Sequence, residues 1–239
     1  MDEPGKAELY RGLRRQGIFL YPQDGSGVRA FQPDVIIRST AIEPGNPDLE
    51  AGVGLPLVHR ARALSQALSA VDADLIAVAG SCGKTSVTGW VASALRALGE
   101  PVLDVNGGYN AGNDPHGMPG NFHADPQPRW LVAEVDESDR SIGEFAPAHG
   151  ILLNVGNDHY SKEELCEVFA SFLKRCQKGA AIVNELRNLA GGLDIPVQYF
   201  NAVEGEAPDA LSFENYHSLI LVLHLAVAPY FLTKKTHDT

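Results

Sequence analysis

The 239 residues carry 44% hydrophobic and 21% charged side chains, ordinary globular proportions with enough length for one large domain or two smaller ones. The formal net charge of -11 speaks against a nucleic-acid or anionic-membrane surface, because such partners demand clustered Lys and Arg. The three cysteines, Cys82, Cys166 and Cys176, are an odd number without metal-ligand spacing, which fits reduced thiols in a cytoplasmic enzyme better than a disulfide framework.

The chain opens Met-Asp-Glu-Pro, with no basic segment followed by an apolar stretch, so no secretory signal is expected. A helix is expected over Lys6-Arg15 and another over Ala61-Ala70. Short apolar runs, rich in β-branched residues, predict strands at Ile18-Leu20, Val35-Ile37, Leu75-Ala79, Val102-Val105, Trp130-Ala133, Ile151-Val155 and Ala180-Val183. Helical patterns separate several of them, which predicts an α/β fold with a mostly parallel sheet. After Lys84, the residues Val87, Val91, Ala94, Leu95 and Leu98 recur at helical spacing, and Gly99 stands where a helix ends. A second amphipathic helix carries Leu165, Val168, Phe169, Phe172 and Leu173. Residues 106–129, rich in Gly, Asn, Pro and His, predict a long loop over a functional edge of the sheet. The stretch Leu219-Leu232 is interrupted by His224 and Pro229 and falls short of the roughly 20 residues that span a bilayer, so it is expected to be a buried helix. A domain boundary is expected near Val71-Asp72, because a new strand-loop-helix unit begins at Leu75.

That unit is the most informative part of the chain. Strand Leu75-Ala79 runs into Gly80-Ser81-Cys82-Gly83-Lys84-Thr85-Ser86 and then into a helix. Glycines let backbone N–H groups approach an anion, the helix N-terminus adds positive potential, Lys84 can reach terminal phosphates and Thr85 can ligate Mg2+. Position 78 is Val78, so this is a G-x-x-G-K-T loop, shorter than the commonest phosphate loop. The simpler alternative is a glycine-rich turn with an incidental lysine; the flanking strand and helix argue against it. Cys82 reads as a small loop filler.

The segment Ala77-Val78-Ala79-Gly80-Ser81-Cys82-Gly83-Lys84-Thr85-Ser86 resembles the phosphate loop of Mur ligases and their folylpolyglutamate relatives. Further segments follow in family order. Val105-Asn106-Gly107-Gly108 is similar to the substrate-side loop of the alanine-adding branch, and Ala133-Glu134-Val135-Asp136-Glu137-Ser138-Asp139 to its A-E-A-D-E-S-D signature. Asn154-Val155-Gly156-Asn157-Asp158-His159 is similar to its T-N-x-x-x-D-H segment. Upstream, Ile37-Arg38-Ser39-Thr40-Ala41-Ile42, Asn46-Pro47 and Pro56-Leu57-Val58-His59-Arg60-Ala61 resemble the end of the UDP-sugar domain. The resemblance implies a P-loop ATPase domain over 72–239, preceded by a partial Rossmann-like UDP-sugar domain over 1–71.

The activity it implies belongs to peptidoglycan precursor synthesis: ATP phosphorylates the carboxylate of UDP-N-acetylmuramate, and an amino acid, L-alanine in this branch, attacks the acyl phosphate. Lys84, Glu134 and His159 would be catalytic, with Thr85, Glu134 and His159 as ligands of Mg2+. Glu134 ends a strand at the carboxyl edge of the sheet, where such ligands gather. His159 without the resemblance would read as an ordinary loop histidine. Glu137, Ser138 and Asn157 would lie near the muramate group, as would Asn106, Gly107 and Gly108, which otherwise merely close a turn. Asp136, Glu137 and Asp139 also read as a solvated acidic turn. His59 and Arg60 would lie near UDP, although the N-cap region of a helix explains them too.

Three departures accompany the resemblance. The chain starts past the family's glycine-rich strand-turn-helix, His217-Ser218-Leu219-Ile220-Leu221 keeps the histidine of an adenine-contacting H-N-x-x-N helix but not its asparagines, and the C-terminal ligase domain is expected to be absent. A module that binds Mg-ATP without turnover, completed by a partner chain, is therefore the alternative to a self-sufficient ligase.

Overall fold

The computed structural model describes residues 4–108, 120–156 and 160–201, with side chains from residue 10 onward. They fall into two compact units, one within Met1–Val71 and Gly108–Phe122, the other within Asp72–Gly107 and His123–Thr239.

The first unit contains α1 (Pro4–Arg15), α2 (Ser26–Phe31), β1 (Ile36–Arg38), α3 (Pro47–Ala51), β2 (Leu57–His59) and α4 (Arg60–Ser69). Strands β1 and β2 pair in parallel with Ile37 opposite Val58. Local chemistry sets the helix starts. The Asn46 side chain accepts the Asp48 amide with Pro47 in the first turn of α3, and His59 Nδ1 accepts the Ala61 amide at 3.3 Å to cap α4. Two expectations fail here. Among the described residues Ile18-Leu20 forms no ladder, and its residues are 38% to 66% exposed. Conversely β2 was not expected, because only Leu57 and Val58 of its three residues are apolar.

The second unit contains β3 (Asp74–Ala79), α5 (Lys84–Ala97), β4 (Val102–Val105), β5 (Phe122–Ala124), β6 (Trp130–Glu134), β7 (His149–Leu152), α6 (Lys162–Leu173), β8 (Gly179–Val183) and β9 (Val197–Phe200), with 3-10 turns at Ser141–Glu144 and Asn184–Ala190. Its seven strands lie in the order β5-β4-β6-β3-β7-β8-β9. β3 pairs in parallel with both β6 and β7, as do β4 with β6, β7 with β8 and β8 with β9. Ile76, Ala77, Val78 and Ala79 are all buried, the unbroken apolar run expected of a parallel strand covered on both faces.

Helix α5 lays Val87, Val91, Ala92 and Leu95 on Ile76, Val78, Val102, Trp130 and Val132. Leu98, expected on that face, is 67% exposed, because it is the C-cap residue and Gly99 turns the chain away at φ 80°. Ser161 and Glu164 start α6 with a reciprocal capping box. Helix α5 is also tied to β4 by charge: Arg96 pairs with the fully buried Asp104 and approaches Asp125. Burial works against the Asp125 charge, but the Val102 amide, His123 and Arg96 outweigh it and hold the carboxyl below its ordinary value.

Two boundaries differ from expectation. The run predicted at Ile151-Val155 begins at His149 and leaves the sheet after Leu152, freeing Leu153–Gly156 to turn toward the end of β3. The loop expected over 106–129 contains β5, anchored where the Asp125 amide donates to the Val102 carbonyl. Asn157, Asp158, His159, His217 and the helix expected at Leu219-Leu232 lie outside the described residues. Among the described residues, no helix is long and apolar enough to cross a membrane.

Candidate functional site

The chain leaves β3 through α5 to β4 on one side of the sheet and later returns to β7 on the other, with β6 between β4 and β3. The carboxyl end of β3 is thus a topological switch point, where connections diverge and open a crevice. Residues 80–86 occupy that place. Gly80 has φ 141°, and a Cβ there would stand 3.0 Å from Leu153 Cβ and 3.2 Å from the Asn154 amide nitrogen. Gly83, at φ 81°, is the left-handed N-cap of α5. The spacing of these glycines therefore follows from two separate backbone demands.

The loop is fastened to the segment leaving β7. Cys82 N donates to Asn154 Oδ1 at 3.0 Å, Asn154 Nδ2 returns a bond to the Cys82 carbonyl at 3.0 Å, and Gly156 N donates to Ser81 Oγ at 2.8 Å. Beyond it, the amides of Lys84, Thr85 and Ser86 form the first turn of α5, where no helical carbonyl precedes them. Together with the helix dipole they are suited to receive an anion.

Lys84 Nζ donates to the Gly80 carbonyl at 2.6 Å and to both carboxylate oxygens of Glu137, at 3.0 and 3.3 Å. A carboxylate thus stands against the lysine that a phosphate would engage. Glu134, the last residue of β6, lies opposite Val78 in the ladder. Its Oε2 accepts from Thr85 Oγ1 at 2.9 Å and from the Gly107 amide at 2.8 Å. A Cβ at 107 would sit 2.5 Å from that oxygen, so any larger residue there would displace the Glu134 carboxylate. The neighbouring hydroxyl and carboxylate are the hard oxygen donors that Mg2+ takes, usually with several waters completing its shell. Among the described residues no group of three or more His, Cys, Asp and Glu side chains forms a metal cluster. The Thr85–Glu134 oxygen pair therefore fits a Mg2+ that takes its remaining ligands from phosphate or water.

Beside the loop lies a cavity of about 210 Å³ lined by Ser81, Lys84, Asp136, Glu137, Ser138 and Tyr160, among others. Asp136 and Asp139 are turn-formers: each accepts an amide two residues on, from Ser138 and Ser141. Asn106 is 95% buried, since only 5% of it is exposed, and its Oδ1 has no hydrogen-bond partner among the described residues. Cys82 is exposed and Ser86 lies in the first turn of α5.

The structure thus gathers residues 80–86, Asn106, Gly107, Glu134, Glu137 and Ser138 in the second unit. Gly108 follows Gly107 at the unit division, and His59 and Arg60 belong to the first unit, where His59 serves as the cap of α4. Asn157 and His159 lie outside the described residues. Sequence reasoning gave no individual role to Asn154 and overlooked Tyr160. Asn154 stood within a quoted motif, but its partner Cys82 is 72 residues away, which no local signal reveals.

Residues 78–195 match the family model described as Mur ligase middle domain. The UDP-N-acetylmuramate--L-alanine ligase of Streptomyces avermitilis is 33% identical over 185 residues, 74% of this chain and 38% of that protein. Its counterpart in Streptomyces coelicolor is 36% identical over 177 residues, 72% of this chain and 37% of that protein. The chain therefore spans well under half the length of these curated relatives. Among solved structures, the UDP-N-acetylmuramate:L-alanyl-gamma-D-glutamyl-meso-diaminopimelate ligase from Neisseria meningitides superposes with a TM-score of 0.73 at 20% identity, over 94% of this chain and 83% of that one. A UDP-N-acetylmuramate-alanine ligase from Thermotoga maritima gives 0.69 at 21% identity, over 95% and 57%. At such identities the structures speak for the fold alone, and that fold is the one the sequence relatives share. The chain belongs to the Mur ligase family, and its residues 78–195 are the middle domain of that family.

Proposed function

We propose that this chain carries out the ATP-dependent step of a cytoplasmic carboxylate-amine ligase, which activates UDP-N-acetylmuramate as an acyl phosphate and joins it to L-alanine. The observation that carries the reading is the grouping, at one switch point, of an open helix N-terminus, Lys84 and the Thr85–Glu134 oxygen pair. ATP enters as substrate. The amides of Gly83 to Ser86 hold its phosphates, and Lys84 exchanges the Glu137 carboxylate for a phosphate oxygen. Bound Mg2+ would neutralise charge on the transferring phosphoryl group. Thr85 and Glu134 would hold it, and His159 is proposed for a second ion on the strength of the family resemblance. The substrate carboxylate oxygen attacks the γ-phosphorus as ADP leaves; the amine of alanine then attacks the acyl carbon and phosphate departs.

Glu137, Ser138, Asn106, Gly107, Gly108 and Asn157 are proposed for the muramate side. The unpartnered Oδ1 of Asn106 supports that, since a buried acceptor calls for a donor such as a ligand hydroxyl or amide. His59 and Arg60 are proposed for UDP, within a sugar-nucleotide domain over 1–71 that precedes the ATP-binding domain over 72–239.

A second reading is a Mg-ATP-binding module without turnover of its own, completed by a partner polypeptide. One experiment separates the two. The purified chain is incubated with Mg-ATP, UDP-N-acetylmuramate and mixed amino acids, and ADP and the mass of any new amide are followed, with Lys84→Ala as control. An amide that disappears in the variant establishes the ligase. Nucleotide binding lost in Lys84→Ala, with neither ADP nor amide formed by the wild type, supports the module. No nucleotide binding at all sinks both.

A further inference from the structure

We infer that Asn154 is a positioning residue for the phosphate loop, gripping the main-chain N–H and C=O of Cys82 so that the Ser81 and Cys82 amides are withheld from phosphate while those from Gly83 onward receive it. The inference rests on reading residues 80–86 as a phosphate loop. Asn154 sits two residues past the end of β7, where the chain has left the sheet and turned toward β3. Its carboxamide meets both main-chain polar groups of residue 82, on either side of its Cα, Oδ1 taking the Cys82 N–H and Nδ2 giving to the Cys82 carbonyl, both at 3.0 Å. Its own carbonyl accepts the Ser81 N–H at 3.3 Å. Two consecutive loop amides are therefore committed to Asn154 before any ligand arrives.

That commitment has a chemical consequence. A glycine-rich loop whose N–H groups all point inward binds anions by wrapping them, and each free amide adds to the cradle. Here Ser81 and Cys82 are withdrawn from the cradle and fixed to the neighbouring strand's exit, while Gly80 lets Leu153 and Asn154 come close enough to do so. The loop's shape is imposed from β7, not by the nucleotide. The Gly156 amide on Ser81 Oγ, at 2.8 Å, closes the same seam one step further on. Asparagine is the side chain for this role, because an aspartate cannot donate to the Cys82 carbonyl and an alanine can do neither.

The test uses the full chain with ADP as probe, comparing wild type with Asn154→Ala and Asn154→Asp by calorimetric titration, thermal melting and residue-resolved amide exchange. Loss of the two side-chain bonds is expected to weaken ADP binding by roughly tenfold in Asn154→Ala. Exchange at the Cys82 amide should accelerate while the melting temperature stays close to that of the wild type. Asn154→Asp keeps an acceptor for Cys82 N–H, so its exchange there should remain slow while ADP binding still falls. Unchanged affinity together with unchanged Cys82 exchange in Asn154→Ala overturns the inference. So does an affinity loss accompanied by general unfolding in both variants, which would make Asn154 simply structural. A wild type that fails to bind ADP would overturn the phosphate-loop reading instead, and the Cys82 exchange would still decide whether Asn154 grips the loop.

Discussion

Replacing Glu137 by glutamine should make this protein bind nucleotide more tightly, although the substitution falls inside its own site. An ammonium group has three N–H donors, and here one goes to Gly80 and the other two to the Glu137 carboxylate. A phosphate can reach Lys84 only by taking a donor from Glu137. The two side chains are 13% and 10% exposed, so water screens them only partly. At about 3 Å and an effective dielectric of about 20, their gross attraction is about 5 kcal/mol. Desolvation takes back most of that, leaving a net cost of about 1 kcal/mol for parting them. Glutamine keeps the shape and one acceptor but gives up the charge, so ADP affinity should rise by roughly fivefold. Titration calorimetry at low and high salt would measure it, with the gain shrinking as salt screens the pair. Equal or weaker binding in Glu137→Gln, with the fold intact by circular dichroism, would mean that the ion pair does not compete with phosphate and that the reasoning is wrong.

Gly107→Ala places a methyl where the Glu134 carboxylate now lies, so the increment in ADP affinity that Mg2+ provides should fall by roughly tenfold while metal-free binding changes little; titrations with and without Mg2+ separate the two. Gly150→Ala would drive a methyl to 2.5 Å from Cys176 Sγ and 3.2 Å from Phe172 Cε1, overpacking the seat of α6 on β7, and should cost about 1–3 kcal/mol in urea unfolding without altering nucleotide affinity. His149 is held below its ordinary 6.5 by burial, with Asp74 opposing and Lys178 assisting. Its unfolded form therefore binds the proton more readily, so its contribution to stability is complete above about pH 6.5 and declines as the pH falls toward the lower folded value. A urea midpoint followed from pH 7.5 down to 5 should drop, and His149→Phe should flatten that part of the profile.

The sheet was legible where the sequence signal is local and strong. Val102-Val105 was located to the residue, and the spacing of Gly80, Gly83 and Lys84 announced the strand-to-helix turn between β3 and α5. Glu134 could be placed at a strand end because apolar Trp130-Ala133 stops there. What stayed hidden depends on distant partners or on too few residues. Ile18-Leu20 has strand composition, yet none of the described residues pairs with it. β2 is three residues long, and its identity is settled by pairing with β1. The bond from Lys84 to Glu137 spans 53 positions and that from Cys82 to Asn154 spans 72, separations at which chain order carries no contact information.

The ladder that sets Val78 beside Glu134 also decides which parts of this protein can change length. The carboxylate is aimed by its place in the row of strand pairings and held by Thr85 Oγ1 and the Gly107 amide. Residues could be added or removed between β6 and β7, or in the stretch between Gly107 and β5, with the oxygen pair kept in place. One residue deleted within Trp130–Glu134 would shift the strand by about 3.3 Å and turn every side chain beyond the gap to the opposite face. Glu134 would then point away from Thr85 in a sheet that remains intact. Length variation in this domain should accordingly be confined to its connections, with the strands that end at the crevice holding a fixed count.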